Sequence, residues 1–431
     1  MKVENTKTKK ILIAIILVCV ITLSFFAGFF TYYLTMSKAQ RQVSWFVGLI
    51  DKKYTVYDEE TGQMRDLTAE DYCDKLAELL DPYSRYYTKE EYSDEMVTSF
   101  GNVYGTGVAF SSQSETLKII VVTGNSPAEK AGVKVGMEIK ALRYNGVEEE
   151  VKDFTEFSME LSKIPANTDF EFKLSYNGTE EYKTLQKQAF SISVVKYIDS
   201  EKTFRFTENS DGVMVGVEEI GGNPTLPSDV GYIKFDGFEN YAVEQFSEAY
   251  NYLISRGKSK LILDVRYNGG GYMNVLQDIA SYLIYNQGKS KNVVAIARDK
   301  QGREELFKTN KNNYKPLEIV VLANGGSASA TECLIGAMIS YGTLDYEHLV
   351  ITKKGEEENA TTYGKGIMQT TYVHSQSQTA AKLTTAYIYW PDKTTCIHAK
   401  GIVALKENSV AINENILIDN ELNRAIEILN A

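Results

Sequence analysis

The chain has 431 residues, of which 43% are hydrophobic and 24% are charged, and its formal net charge at pH 7 is -11. This length allows about three domains, and the composition is that of a globular protein. The charge argues against a nucleic-acid-binding protein, because phosphate binding needs a concentrated basic face and none is visible in the sequence. The acidity favours solubility instead.

The first predicted element is a membrane anchor. Residues 11–34 contain no charged side chain, and about 20 apolar residues span a bilayer. Lysines precede this run, which favours a cytoplasmic N-terminus. We therefore predict a cytoplasmic tail (1–10), a single transmembrane anchor (11–34) in the cell membrane, and an extracytoplasmic body. A cleaved signal peptide is the alternative, but residues 37–39 (SKA) make a poor cleavage site.

A helical N-terminal arm is predicted over residues 35–100. Residues 40–54 and 68–80 carry apolar side chains at helical spacing, and Asp81-Pro82 ends the second helix. The arm is a candidate for homodimer formation. Packing of the arm on the body is the equally supported alternative.

Residues 101–188 change to short strands punctuated by glycine. Residues 108–110 and 117–122 predict two paired strands. Residues 126–132 (SPAEKAG) predict a short helix with a serine cap, a proline at its first position and a glycine at its end. A small α+β domain is predicted here.

An α/β body is predicted over residues 189–431. Strands that alternate with amphipathic helices favour crossover units and a mixed, largely parallel sheet. The strands are predicted at 230–235, 261–265 and 317–323. The helices are predicted around 246–254 and 276–284.

Two strand ends in this body carry residues suited to catalysis. Ser329 follows the strand at 317–323 and precedes a helix, where backbone N–H groups and the helix N-terminus can stabilise an oxyanion. A helix cap is the equally physical interpretation of this serine. Residues 269–271 (GGG) end another strand with backbone N–H groups that can point outward. A phosphate loop is a weak interpretation there, because no Gly-Lys-Ser/Thr sequence follows.

Lys365 is the candidate base, between two glycines where a solubilising lysine has little local reason to lie. A buried lysine has a lowered pKa and can accept a serine proton. A surface lysine in a glycine turn is the alternative. A histidine-based triad is weaker, because the Gly-x-Ser-x-Gly motif is absent and none of the histidines lies in a recognisable catalytic setting.

The cysteines and histidines predict no metal site and no cofactor. The four cysteines have no CxxC spacing and form no ligand cluster with the three histidines. No disulfide follows from the sequence. These residues are Cys19, Cys73, Cys333, Cys396, His348, His374 and His398.

Together these segments resemble the C-terminal processing peptidases, the tail-specific serine–lysine proteases. The resemblance runs from about residue 81 to residue 402, with the motifs in the family's order. The motifs are 81–86 (DPYSRY), 104–108 (YGTGV), 126–132 (SPAEKAG), 231–233 (GYI), 264–271 (DVRYNGGG), 326–330 (GSASA) and 364–366 (GKG).

The resemblance implies a serine endopeptidase. It assigns Ser329 as the nucleophile, Lys365 as the general base and Gln369 as the residue that orients the lysine. The backbone N–H groups that it implies for the oxyanion hole are those of Gly270 or Gly271 together with Ala330.

The resemblance also implies that residues 101–188 are a PDZ domain that captures substrates by their free C-termini. The terminal carboxylate would dock against loop N–H groups, and the peptide would add a strand beside residues 108–110. The residues implied in this binding are Gly105, Thr106, Gly107 and Val108. The expected substrates are exposed or C-terminal segments of extracytoplasmic proteins.

Two other functions stay open at this point. One is a catalytically inactive, membrane-tethered PDZ scaffold that binds protein C-termini. The retained Ser329, Lys365 and Gln369 argue against it, because an inactive chain is free to lose all three. The other is a carrier of small apolar ligands, since the same fold occurs in retinoid-binding proteins, but nothing in the sequence favours it.

Overall fold

The computed structural model describes most of the chain, and the chain divides into two compact units, Met1–Leu79 and Leu80–Ala431. The predicted arm, 35–100, extends across this division. The described residues are 4–54, 56–58, 62–99, 102–110, 116–221, 226–239, 241–285, 291–353, 355, 358–413 and 418–431.

The first unit consists of helices and one short hairpin. Its elements are α1 (Glu4–Thr35), α2 (Lys38–Lys53), β1 (Val56–Asp58), β2 (Gln63–Arg65) and α3 (Ala69–Ala77). The predicted anchor, 11–34, lies within α1. Among the described residues, however, no helix is long and apolar enough to cross a membrane. The anchor therefore stays a prediction.

Helix α2 begins at a capping box, in which the Ser37 hydroxyl accepts from the Gln40 N–H and the Gln40 side chain accepts from the Ser37 N–H. The helix exposes large apolar side chains, among them Trp45 and Phe46. The homodimer expected through this arm stays a prediction.

The second unit opens with a strand, a helix and a small module. Its first elements are β3 (Arg85–Tyr87), α4 (Lys89–Ser99), β4 (Asn102–Gly105), β5 (Val108–Phe110), β6 (Ile119–Val122), α5 (Pro127–Lys130), β7 (Glu138–Tyr144), β8 (Val147–Glu150), α6 (Phe154–Lys163), β9 (Phe170–Tyr176), β10 (Thr179–Leu185) and β11 (Gln188–Ser191). A hydrophobic cluster formed by residues between Leu117 and Leu185 fills this module. The module therefore has a core of its own.

The α/β body forms the rest of the second unit. Its elements are β12 (Val195–Ile198), β13 (Thr203–Thr207), β14 (Gly216–Ile220), β15 (Val230–Phe235), α7 (Ala242–Ser255), β16 (Lys260–Asp264), α8 (Met273–Leu283), β17 (Val293–Asp299), β18 (Glu304–Lys308), β19 (Glu318–Ala323), α9 (Ala330–Ser340), β20 (Leu349–Lys353), β21 (Ile367–Val373), β22 (Ala380–Tyr389), β23 (Ser409–Ala411) and α10 (Asn420–Leu429).

Within the described residues, the main sheet has the strand order β14-β13-β12-β15-β16-β19-β20-β23. In this sheet, neighbouring strands are parallel among β15, β16, β19, β20 and β23. Strands β12, β13 and β14 are antiparallel to their neighbours. Because side chains alternate along a strand, β15 directs Ile233 to the cluster beneath α7, α8 and α9, and Tyr232 to the cluster beneath α10. The sheet is therefore covered on both faces, as a parallel sheet requires.

A second, antiparallel sheet holds the strand that follows Lys365. Its order is β18-β17-β22-β21, and β3 pairs with β22. The sequence did not predict this sheet, because β21 is only partly apolar and its partners are distant along the chain. The body is therefore a mixed α/β fold with two sheets, and both sheets contribute to the cluster beneath α7, α8 and α9.

Candidate active site

The sequence-predicted catalytic residues line one cavity of about 1110 Å³ in the second unit. Ser329 stands at the start of α9, and Gly270 and Gly271 follow β16. Lys365 lies just before β21, and Gln369 lies within it. The ends of two parallel strands and the beginning of an antiparallel one therefore meet at this cavity.

Ser329 has a strained backbone. Its φ and ψ angles are 59° and -117°, a left-handed conformation that non-glycine residues rarely adopt. Strain of this kind clusters at functional sites, where the surrounding structure holds it in place. That structure includes Gly270, since a Cβ on this glycine would lie 2.8 Å from the Ser329 Cβ. Only a glycine fits against the serine at this position.

Of the three backbone N–H groups predicted for an oxyanion hole, one already has an acceptor and two are free among the described residues. The Gly270 N–H donates to Asn268 Oδ1 at 3.0 Å, so the sequence prediction that included Gly270 as a donor is corrected. The N–H groups of Gly271 and Ala330 have no acceptor among the described residues. Gly271 lines the cavity with Ser329, and Ala330 follows Ser329 in the chain. Donors that are free and fixed in this way can stabilise negative charge that develops on a carbonyl oxygen.

Lys365 is half-buried, and its Nζ lies 5.1 Å from the centre of the Tyr83 ring. Burial lowers the pKa of Lys365, and the positive charge of Lys382 lowers it further, while the carboxylate of Asp81 opposes both effects. The lysine therefore has the environment of an amine that loses its proton more readily than a surface lysine.

Gln369 is held by a network that begins at the motif 81–86. Its Nε2 donates to Thr384 Oγ1 at 3.3 Å, and Thr384 Oγ1 donates to Asp81 Oδ1 at 3.1 Å. The Ser84 hydroxyl accepts from the Thr384 N–H at 2.9 Å. Thr384 had no signal in the sequence, since it lies 300 positions from Ser84 and 303 positions from Asp81. The motif 81–86 thus braces the strand pair that carries Gln369.

Glu332 is a residue that the sequence interpretation did not assign to the site. It is fully buried, and its carboxylate accepts from the N–H groups of Ser329 at 3.0 Å, Gly364 at 2.8 Å and Lys365 at 2.9 Å. The Thr362 hydroxyl also donates to it. Burial raises the pKa of Glu332, while these hydrogen bonds oppose the increase. One carboxylate therefore ties the segment of the serine to the segment of the lysine.

The sequence contained a pattern that could have pointed to one contact of Glu332. A glutamate three residues after a serine that precedes a helix is the capping-box pattern. The pattern identifies the bond to the Ser329 N–H, but not the three donors from 362–365, which come from a distant segment.

A buried ion network fixes the loop after β16. Asp264 is fully buried, and its carboxylate accepts from Arg266 at 2.6 Å and from the Tyr232 hydroxyl at 2.7 Å. Arg266 also pairs with Asp419 at 2.7 Å, immediately before α10. These bonds hold the start of the loop that presents Gly271.

The remaining predicted residues lie elsewhere. Gly105, Thr106, Gly107 and Val108 lie in the module, and none of them lines this cavity. His348, His374 and His398 do not line it either, and the four cysteines are free thiols in the described part of the chain. Of the cysteines, only Cys333 contributes to the cavity wall.

Comparison with known proteins shows that the body is similar to a family of peptidases. Residues 229–404 match the profile of Peptidase family S41. This segment of the chain is therefore similar to Peptidase family S41. Ser329, Lys365, Gln369 and Gly271 all lie within the matched segment.

The chain is also similar to two curated proteases. It is 28% identical over 302 residues to a carboxyl-terminal-processing protease of Synechocystis sp., covering 69% of this chain and 61% of that protein. It is 27% identical over 344 residues to the carboxy-terminal processing protease CtpB of Bacillus subtilis, covering 79% and 61%. The chain thus spans about three fifths of the length of these relatives.

Among solved structures, the photosystem II D1 C-terminal processing protease aligns with a TM-score of 0.47 and 19% sequence identity. That alignment covers 92% of this chain and 98% of the other.

Proposed function

We propose that this chain is a serine–lysine endopeptidase that cleaves exposed or C-terminal segments of proteins. The observation that carries the proposal is the convergence of the strained Ser329, the half-buried Lys365 and the free N–H group of Gly271 on one cavity. The free N–H group of Ala330 follows the serine in the chain. The match of residues 229–404 to the profile of Peptidase family S41 supports it.

The reaction follows from these groups. Neutral Lys365 takes the proton of the Ser329 hydroxyl while Oγ attacks the carbonyl carbon of the peptide. The N–H groups of Gly271 and Ala330 stabilise the oxyanion. The Lys365 ammonium then gives its proton to the departing amine, which leaves an ester on Ser329. Water attacks this ester while Lys365 accepts a proton from the water. The ester C–O bond then breaks, the Lys365 ammonium returns the proton to Ser329 Oγ, and the carboxylic acid product leaves.

The substrate can bind as an added strand. Among the described residues β21 pairs with β22 alone, and residues 367–371 line the cavity. An extended peptide can pair with the open edge of such a strand. This mode requires an unfolded segment, which accounts for cleavage of exposed or terminal regions rather than folded domains.

Mass spectrometry of the products formed from a denatured protein tests the activity. We expect cleavage by the wild type and none by Ser329→Ala. Equal product patterns from both proteins would overturn the assignment. Peptide binding without cleavage by the wild type would instead support the alternative of an inactive scaffold.

We further propose that the module captures free C-termini as a PDZ domain. Strand β5 pairs with β6 alone among the described residues, and the N–H groups of Thr106 and Gly107 have no acceptor there. Phe110 at the end of β5 packs on Phe157 of α6 with ring centres 5.1 Å apart. A free strand edge, an apolar helix face and unpaired N–H groups suit a peptide that ends in a carboxylate.

Amidation of the terminal carboxylate is expected to weaken peptide binding to the Ser329→Ala protein by about tenfold or more, because hydrogen bonds to a charged acceptor are lost. Fluorescence anisotropy of matched acid and amide peptides measures the change. Equal affinities would contradict tail capture while leaving the catalytic proposal intact.

We also propose that residues 11–34 anchor the chain in the cell membrane, with residues 1–10 in the cytoplasm and the body outside. The support is the uncharged run and the lysines before it. N-terminal sequencing of membrane-bound protein is expected to return a terminus before residue 11. A mature terminus beyond Ala39 would contradict the anchor.

A further inference from the structure

The cavity that holds Ser329 contains an unusual balance of charges. The charged side chains that line it are Glu95, Asp236, Glu239, Glu305, Lys365 and Lys382. Lys382 pairs with Glu95 at 2.7 Å, and Lys234, just outside the cavity, pairs with Asp236 at 3.1 Å. Within the part of the chain that the structure describes, Glu239 and Glu305 have no ion-pair partner. Since Lys365 must be neutral to act as a base, the active cavity is anionic.

Of the two unpaired carboxylates, Glu239 is the one fixed beside the oxyanion loop. It follows Phe238, whose N–H donates to the Gly270 carbonyl at 3.0 Å and whose carbonyl accepts from the Tyr272 N–H at 2.8 Å. The backbone carbonyl of Glu239 itself accepts from the Ala242 N–H at the start of α7. Its backbone position is therefore set by the same loop that presents Gly271.

The surroundings of the Glu239 carboxylate disfavour its charged form. Its side chain is half-buried, and burial raises its pKa. A partly buried carboxylate without a partner loses hydration and gains no compensating charge. Glu305 is exposed to solvent and does not carry this cost. A cationic group brought by the substrate would supply the missing partner.

We infer that Glu239 is a specificity-determining residue, which binds a lysine or arginine side chain of the substrate close to the scissile bond. The inference rests on the proposed peptidase function and names the substrate class of the same site. A neighbouring acidic side chain on the substrate is disfavoured by the same carboxylate, because like charges in a partly desolvated site repel.

A charge scan of one peptide tests this inference. The parent is a neutral peptide that the wild type cleaves, with lysine, glutamine or glutamate placed in turn at the positions on either side of the cut. We expect one position at which the lysine peptide exceeds the glutamine peptide in kcat/KM by about tenfold. The glutamate peptide should be the poorest of the three at that position.

Three variants assign the preference to Glu239. Glu239→Gln should bring the lysine-to-glutamine ratio close to one, and Glu239→Lys should reverse it in favour of glutamate. Glu244→Gln is the matched control, because Glu244 is an exposed carboxylate on the adjacent helix α7 outside the cavity. It should keep the wild-type ratio. The ratio is measured within one preparation, so partial misfolding of a variant does not alter it.

The results of the charge scan distinguish failure of the role of Glu239 from failure of the proposed peptidase activity. Cleavage by the wild type without any charge preference overturns the role of Glu239 and leaves the peptidase standing. A preference that persists in Glu239→Gln also overturns it. Absence of cleavage of every peptide, by wild type and Ser329→Ala alike, overturns both.

Discussion

Replacing Lys365 with arginine should reduce kcat/KM for peptide cleavage by about a hundredfold or more, although the charge and the approximate length are kept. A guanidinium does not lose its proton in proteins, so it cannot accept the proton of the Ser329 hydroxyl. General base catalysis contributes ~10²–10⁴ in rate. Steady-state cleavage of one peptide by the wild type and Lys365→Arg measures the loss. Near-normal turnover by Lys365→Arg would remove Lys365 from the mechanism.

The assignment of Ser329 and Lys365 as nucleophile and base also predicts how the activity losses of their single and double variants compare. Ser329→Ala and Lys365→Ala should lose similar activity, and the double variant should lose little more, because groups that act as a unit are not additive. Additive losses would indicate that the two side chains serve separate steps.

The pH dependence of wild-type activity tests independently whether Lys365 acts as the base. The folded-state pKa of Lys365 is lowered by burial and by Lys382, so the amine is protonated at low pH and becomes neutral as pH rises through the lowered pKa. Activity should therefore increase with pH. Removing the positive charge in Lys382→Gln should let the pKa of Lys365 rise and move the increase to higher pH. An unchanged midpoint would contradict the influence of Lys382 on this amine.

Glu332→Gln should lower both stability and activity, with the larger effect on activity. One carboxylate oxygen accepts from Thr362 and Gly364, and the other accepts from Lys365 and Ser329. A glutamine has one acceptor oxygen, so its amide N–H₂ faces two donors whichever way it is turned. Buried donors without an acceptor cost about 1–3 kcal/mol each. Displacement of the serine or lysine by about 1 Å costs roughly a hundredfold in rate.

Asp199→Asn is the matched control for Glu332→Gln. Asp199 is also a buried carboxylate, and it accepts from the N–H groups of Glu201 and Lys202 and from the Tyr252 hydroxyl, away from the cavity. It should lower the melting temperature without a comparable fall in kcat. Thermal melts and kcat are measured together. If Glu332→Gln and Asp199→Asn lose stability equally and both keep kcat, Glu332 has only a structural role.

The sequence predicts the parts of the site that depend on local pattern. The strand at 230–235 is observed as β15 (Val230–Phe235), and Ser329 begins a helix after the strand at 317–323, as expected. Apolar runs, glycine positions and helix caps depend on residues that are close in sequence, so they can be recognised without a structure.

Contacts between distant segments were not predictable in the same way. Thr384 joins Gln369 to Asp81, and Glu332 accepts from Lys365, only because the fold brings these segments together. The Gly270 N–H is unavailable because it donates to Asn268 Oδ1, a bond that depends on how the loop turns. Hydrogen-bond partners of this kind are decided by tertiary structure rather than by residue type.

The most direct test of the central claim is detection of the ester on Ser329. A peptide ester is mixed with the enzyme, and the reaction is quenched in acid, where Lys365 is protonated and cannot activate water. Peptide mapping by mass spectrometry should locate the acyl mass on the peptide that contains Ser329, and Ser329→Ala should show no adduct. Turnover of the ester with the adduct on another residue, or with no adduct at all, would contradict the account.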